Sequence, residues 1–258
     1  MPEFLADIPI HPFTYQEAVG SVSLMIRNRQ RPAAFIVQAN AYTVVSAHEN
    51  QTYMEVLRAA DLSLPDGMPL VWMLRLKGHP IKTRVYGPDM MLRLCDEASR
   101  YGWRCFLYGG ESSTLELLRN NLLQRFPSLQ IVGTHSPPFR PLSPEEDATV
   151  CEMINAARPD ILWVGLGGPR QDRWMYDHRD RLNVSVMHGV GAAFDFLSGR
   201  VPQAPRWMMN SGLEWLFRLA VEPRRLWRRY TITNLKFLYY LFAREVLGRS
   251  KADQKPGA

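Results

Sequence analysis

Four short runs of almost uniformly apolar residues constrain this chain more than any other feature: Phe35–Val37, Cys105–Tyr108, Ile161–Val164 and Val184–Met187. A strand with one wet face alternates apolar and polar side chains. A strand that does not alternate belongs in a sheet covered on both faces, as parallel sheets are. Helical signals lie between the runs. Thr14-x-x-Glu17 and Ser113-x-x-Glu116 fit capping boxes, and Ser143-Pro144-Glu145-Glu146 adds a proline at the first helical position. Leu115, Leu118, Leu122 and Phe126 recur on one helix face. Strand and helix in alternation predict an α/β fold, a Rossmann-like layered sandwich with a mainly parallel sheet and right-handed crossovers.

The rhythm stops near Gly199. From there to Gly248 the pattern is helical, broken near Pro205 and Pro223. The expected organisation is an α/β catalytic domain over 1–197, a helical appendage over 198–249, and a polar, disordered tail over 250–258. Charge follows the same division. Of the 31 lysines and arginines, 12 fall in residues 200–258 against 4 acids, leaving 19 basic and 21 acidic side chains for the body. The overall +6 therefore belongs to the appendage. The longest stretch free of charged residues, Pro32 to His48, is interrupted by Gln38, Asn40, Thr43 and Ser46, so it makes no transmembrane helix. The N-terminal residues lack the basic start and apolar run of a signal peptide. Three cysteines form neither an even disulfide set nor a CxxC pair, and a reducing cytoplasm is expected.

Ligands of open α/β sheets bind beyond the carboxyl ends of the strands. Here those ends read Gln38-Ala39-Asn40, Tyr108-Gly109-Gly110, Gly165-Leu166-Gly167-Gly168-Pro169-Arg170-Gln171-Asp172 and His188-Gly189-Val190-Gly191 running to Phe194-Asp195. Any one glycine can simply end a strand, but several together suit a nucleotide or sugar-nucleotide crevice, where backbone N–H groups approach phosphate closely. There is no GxxxxGK[ST], and Gly189–Phe194 is one glycine short of a dinucleotide fingerprint. Asp66, in Leu64-Pro65-Asp66-Gly67, could take a proton from an attacking hydroxyl or merely bond its own turn. Arg84 could neutralise a phosphate or be a solvated charge. Asn40 and Gln171 could bond sugar hydroxyls or serve as caps. The histidines show no HxxxH spacing and no D-x-D occurs, so a metal site is not expected.

In the appendage Arg218, Arg224, Arg225, Arg228, Arg229, Lys236 and Arg244 interleave with Trp215, Phe217, Trp227, Tyr230, Phe237, Tyr239, Tyr240 and Phe242. That mixture suits an anionic membrane surface, with rings at the headgroup layer. Packing on the body and single-stranded nucleic acid are the other readings, the last disfavoured by a near-neutral body.

Taken together, the loops resemble the WecG/TagA/CpsF family, glycosyltransferase family 26, over roughly Ile10 to Gly248. The matching pieces are Asn40, Pro65-Asp66-Gly67, Arg84 with Gly87-Pro88-Asp89, Tyr108-Gly109-Gly110 and Gly165-x-Gly167-x-Pro169-x-Gln171-Asp172. Gly189-Val190-Gly191-x-x-Phe194-Asp195, Ala204-Pro205-Arg206-Trp207, Gly212-Leu213-Glu214-Trp215, Arg218, Glu222-Pro223 and Arg225 complete the set. The resemblance implies an inverting, metal-independent transferase that needs no cofactor. It would move N-acetylmannosamine, its uronic acid or a glucose-type hexose from a UDP-sugar to an undecaprenyl-diphosphate-linked sugar, as a peripheral protein on the cytoplasmic membrane face. By the same resemblance Asp66 is the general base, and Asn40, Arg84 and Gln171 position the substrates. Gly109, Gly110, Gly167, Val190 and Asp195 hold the UDP, and Arg218, Arg225 and Arg228 approach the diphosphate. Gln38 stands near the base where many relatives carry threonine, and so bears on the acceptor. The rival readings are a non-catalytic nucleic-acid-binding module and a nicotinamide-dependent oxidoreductase. A monomer and a homo-oligomer are equally compatible with the sequence.

Overall fold

The computed structural model describes residues 1–29 and 31–243. On its last helix the side chains of 225, 226, 228–230 and 242 lie outside that description, and with them the expectations placed on Arg225 and Arg228; so do Arg244 and the polar tail. The chain opens with a small antiparallel hairpin, β1 (Glu3–Leu5) and β2 (Ile8–Ile10). There follow α1 (Tyr15–Arg27), β3 (Ala34–Ala39), α2 (Ala41–Glu49), α3 (Gln51–Arg58), β4 (Leu62–Pro65), α4 (Met68–Leu76) and α5 (Gly87–Tyr101). The second half runs through β5 (Arg104–Gly109), α6 (Ser112–Arg125), β6 (Gln130–His135), α7 (Pro144–Ala157), β7 (Ile161–Gly165), α8 (Arg170–His178), β8 (Val186–Gly189) and α9 (Ala193–Leu197). Three helices close it: α10 (Arg206–Asn210), α11 (Glu214–Val221) and α12 (Pro223–Phe242).

Six strands form one sheet in the order β4-β3-β8-β7-β5-β6, with every pairing parallel. Successive side chains of a strand point to opposite faces, and both faces are dry. Phe35, Val37, Phe106, Tyr108, Leu162 and Val164 pack under α2, α3, α4, α7 and α8. Ala34, Ile36, Cys105, Leu107, Ile161 and Trp163 pack under α1, α5, α6 and α9. The uniform apolarity of the central strands follows directly from this double coverage.

The helix after β3 lies on one face and the helix after β8 on the other; the same divergence separates β5, followed by α6, from β7, followed by α8. Neighbouring strands whose connections leave to opposite faces open a crevice at their carboxyl ends. That is where the glycine loops lie.

Thr14 and Ser143 cap α1 and α7 with complete capping boxes. The box expected at Ser113 does not form. The helix starts two residues earlier, with Glu111 at the cap, and Ser113 falls inside its first turn. There its hydroxyl, with that of Thr114 and the Glu111 carboxylate, accepts from the Arg200 guanidinium. The fourth expected strand also shifts, from 184–187 to Val186–Gly189, because His188 and Gly189 pair with Trp163 and Val164 of β7.

The C-terminal helices lie partly on the body. Phe237 and Leu241 of α12 are buried in the same cluster as Val44 and Val45 of α2. The Tyr240 ring stacks on His48 at 4.4 Å, and Lys236 pairs with Glu49. No helix among the described residues is long and apolar enough to cross a membrane.

Candidate active site

Asp66 is the first residue after β4, and Gly67 behind it is the N-cap of α4. Its backbone is fixed by the strand ladder: the N–H donates to Ala39 O at 2.8 Å, and the carbonyl accepts from Arg84 at 3.2 Å. Asp66 Oδ1 accepts from the backbone N–H of Gly87 at 3.0 Å, the first residue of α5, and the carboxylate also takes a hydrogen bond from the Asn40 side chain. Burial pushes this carboxyl above its ordinary range, and the Arg84 guanidinium pulls against the rise while Glu214 adds to it. The outcome is a desolvated carboxylate at a strand end with a fixed orientation, a suitable starting point for a base.

Asn40 is both cap and site residue. Its Oδ1 accepts from the N–H groups of Tyr42 and Thr43 at 3.0 and 3.3 Å, which starts α2, while the same amide reaches Asp66. Arg84 is buried, with its guanidinium 4.2 Å from the Tyr86 ring centroid, and it is paired with Glu214. Tyr86 donates to the other oxygen of Glu214 at 3.4 Å. Glu214 is the first residue of α11, so a residue of the C-terminal segment completes the surroundings of the base. Nothing local in the sequence marks it: Arg84 lies far back in the chain, and Glu214 is legible only as one letter of a longer match. Arg218, one turn further on, holds its guanidinium 5.6 Å from the Phe196 ring, with its Nε buried and without a hydrogen-bond partner among the described residues.

Gln38 on β3 joins the same group. Its Nε2 lies 2.9 Å from His188 Nε2, and its Cγ is 3.7 Å from where a Cβ on Gly87 would stand. Burial holds the His188 imidazole neutral, down to about 3. No local pattern singles out His188, and its place beneath Gln38 emerges only from the sheet register.

The glycine loops line the crevice beside this cluster. Val190, buried after β8, places its carbonyl 3.6 Å from the same point on Gly87. Gln171, at the start of α8, accepts the N–H of Gly167 at 3.1 Å, and its amide lies against Gly189 and Gly191. It therefore clamps one loop against the other. Gly109 has φ +117 and touches Gly165 so closely that a Cβ would stand 2.6 Å from the Gly165 carbonyl carbon; only glycine fits. Gly110 follows at φ +69, its carbonyl taking the Ser136 hydroxyl at 2.6 Å. Asp195 is exposed on α9. Two groups thus emerge: Asp66, Asn40, Arg84 and Gln38 around the base, and the glycine loops with Gln171 and Val190 next to them.

Asp172, which the sequence marks only as part of a loop motif, is buried under the second loop. Tyr53 donates to it at 2.6 Å, and burial pushes its carboxyl up to about 6. Among the described residues one other cluster has metal-ligand chemistry, Asp147, Cys151 and His178 on α7 and the far end of α8. Its carboxylate is already engaged by His178 at 2.7 Å and Arg181 at 2.6 Å.

Residues 3–252 match the family described as Glycosyl transferase WecG/TagA/CpsF. The chain belongs to this family. Its relatives include an N-acetylglucosaminyldiphosphoundecaprenol N-acetyl-beta-D-mannosaminyltransferase of Bacillus spizizenii, 34% identical over 88% of this chain and 84% of the relative. Proteins of the same description from Bacillus subtilis, 31% identical over 80% and 81%, and Staphylococcus aureus, 27% identical over 85% and 84%, are similar along most of their length too. Membership makes the chain a glycosyltransferase, in place of the oxidoreductase or non-catalytic module weighed against it. The family transfers sugars to a polyprenyl-linked acceptor in cell-surface polysaccharide synthesis.

Proposed function

We propose that this WecG/TagA/CpsF protein transfers a sugar from a UDP-sugar to an undecaprenyl-diphosphate-linked sugar, with inversion and without a metal, as a peripheral protein on the cytoplasmic face of the membrane. N-acetylmannosamine transfer to an N-acetylglucosaminyl acceptor, the reaction for which the relatives are named, is the first version to test. The observation that carries this reading is Asp66: a desolvated carboxylate, held by Gly87 and Asn40, beside a crevice of glycine loops.

In the proposed step the acceptor hydroxyl oxygen attacks the anomeric carbon as its proton passes to Asp66. The bond from that carbon to the β-phosphate oxygen breaks, and UDP leaves with the electron pair. A carboxylate whose affinity for protons has been raised by burial takes a proton more readily than an ordinary aspartate. The departing diphosphate needs positive charge or N–H donors. Gly109, Gly110, Gly167 and the loop at Val190 supply backbone, Asp195 lies at their rim, and Arg84 and Arg218 supply guanidinium groups whose planar fork suits phosphate oxygens. Arg225 and Arg228 belong to the same proposal by position on α12. Gln171 keeps the loops in register, and Gln38 and Asn40 border the acceptor side of the base.

The test is turnover of a panel of UDP-sugars with N-acetylglucosaminyl-diphosphoundecaprenol in EDTA, with product mass and anomeric configuration read out. Transfer with inversion in the presence of EDTA supports the reading. Turnover that requires an added divalent ion, or a retained configuration, overturns it.

A further inference from the structure

Two cations that the proposed chemistry leaves unused stand at the free edge of the sheet. β4 is the last strand of the sheet and pairs there with β3 alone. On its other side the Pro65 carbonyl accepts from the Val85 N–H at 2.8 Å, so the segment 82–86 follows that edge. Beyond it, against α1, α5 and α10, lies a cavity of about 390 Å³, the size of a small-ligand site. Buried Arg84 forms part of the wall, and its guanidinium also donates to the Asp66 carbonyl at 3.2 Å, so one side chain spans from the cavity to the base. Arg206 of α10 holds Asp89 of α5 by two hydrogen bonds, at 2.6 and 3.1 Å, and Tyr15 donates to the same carboxylate at 3.3 Å. Asp89, the one acid in the described lining, is thereby neutralised, and Glu214 offsets Arg84 in the same way. Lys82 and Arg93 remain: both line the cavity, both are exposed, and neither has an acidic partner among the described residues. Arg93 is steadied by the Tyr15 ring, whose centroid lies 4.5 Å from its guanidinium. Thr83 and Asn210 add a hydroxyl and an amide to the lining.

We propose that this cavity seats the diphosphate of the acceptor, with Lys82 and Arg93 as its counter-charges. The inference rests on the proposed function and extends it to the acceptor. A diphosphate esterified at both ends carries two negative charges, and two uncompensated cations meet them. Ammonium and guanidinium donors bond phosphate oxygens strongly, the second through a planar fork. The placement also suits the reaction. The glycine loops follow β8, β7 and β5, on the inner side of β4 in the sheet order, and the cavity lies on the outer side. Asp66, at the end of β4, stands between them. A donor on the loops and a diphosphate in the cavity bring the acceptor's sugar, the ring next to its phosphates, to the base. The same charge matching selects against a single phosphate, which leaves one of the two cations without a partner.

The test uses the full-length protein and two water-soluble analogues, N-acetylglucosamine joined to a short prenyl chain through a diphosphate or through a single phosphate. Binding is measured by calorimetry without a UDP-sugar. The parent is expected to prefer the diphosphate analogue by about tenfold, the size of one charge-assisted hydrogen bond. Lys82→Ser/Arg93→Ser is expected to erase that preference and to raise the KM for a diphosphate acceptor about tenfold, with UDP affinity within about twofold of the parent. Lys82→Ser alone, at a position with no side-chain partner to lose, is expected to remove part of the preference. Lys82→Arg/Arg93→Lys, which keeps both charges, is expected to retain it. A double serine variant that keeps the preference overturns the proposal, as does a parent that binds both analogues equally. So does a variant that loses UDP affinity instead, which assigns the cavity to the donor. Because binding is measured without a donor, a parent that prefers the diphosphate analogue yet turns over no acceptor counts against the proposed function alone.

Discussion

The body and the C-terminal helices differ in how much of their apolar surface the described chain covers. In the body α5 buries seven residues, Asp172 is enclosed and hydrogen-bonded, and Asp66 is half-buried and hydrogen-bonded. In the C-terminal segment α11 buries none at all, and Trp207, Leu213, Trp215, Leu216, Trp227, Leu235, Leu238 and Tyr239 stand exposed. An exposed leucine is ordinary by itself, but eight large apolar residues exposed between Trp207 and Tyr239 are not. The contrast teaches that the C-terminal segment is not a weak extension of the core. Among the described residues it docks by a few side chains, Phe237 and Leu241 chiefly.

The contrast can be broken most sharply at Asp66. Asp66→Asn is expected to lower kcat about thousandfold, in the range of a lost general base, while leaving vesicle binding and thermal unfolding nearly unchanged. In the unaltered enzyme, burial places the acid limb of the kcat profile above the ordinary aspartate range. Initial rates across pH check both, and an Asn variant within about tenfold of the parent removes Asp66 from the chemistry.

Glu214 is next, because it is where the two regions share a buried charge. Glu214→Ala strands Arg84 without its partner, and losing one half of a buried pair costs about 3–4 kcal/mol. Denaturant unfolding measures the loss; a change below about 0.5 kcal/mol would place the pair at the surface and loosen the junction between the regions.

Asp172 then tests whether buried charge is truly a property of the body. Its folded value of about 6 exceeds the unfolded one by about two units, so its ionisation opposes folding. That penalty is absent below about pH 4, grows as pH rises through the interval up to about 6, and is complete above it, at roughly 3 kcal/mol. Asp172→Asn, which can still accept from Tyr53, is expected to flatten the fall in stability across that interval. Equal slopes for parent and variant would count against it.

The smallest effect is expected at the docking contact of α12. Leu241→Ala removes a nearly buried side chain at a cost of about 2 kcal/mol. A single shared unfolding transition that moves with this variant shows that α12 melts with the body; an unmoved transition separates the two.

Much of this architecture is legible in the amino-acid sequence. The central strands announce themselves because double coverage removes alternation, and β3, β5 and β7 stand where the apolar runs predict. β4 and β6 are not legible: Leu62–Pro65 is a short strand ending in proline, and β6 is an edge strand whose residues are half exposed, so neither carries the apolar signature. Asp66, Asn40 and Arg84 can be nominated by residue chemistry and family likeness together. That Asn40 caps a helix while reaching the base, that His188 sits beneath Gln38, and that Glu214 meets Arg84 depend on contacts between distant segments, which no local pattern encodes.

The position of Asp66 immediately ahead of α4 has a last consequence. Asp66 stands between the end of β4 and Gly67, the N-cap of α4, and is tied to α5 as well by the Gly87 N–H. A base set between a strand end and a helix start has little room to swing, so its reach is decided by the fold before any substrate arrives.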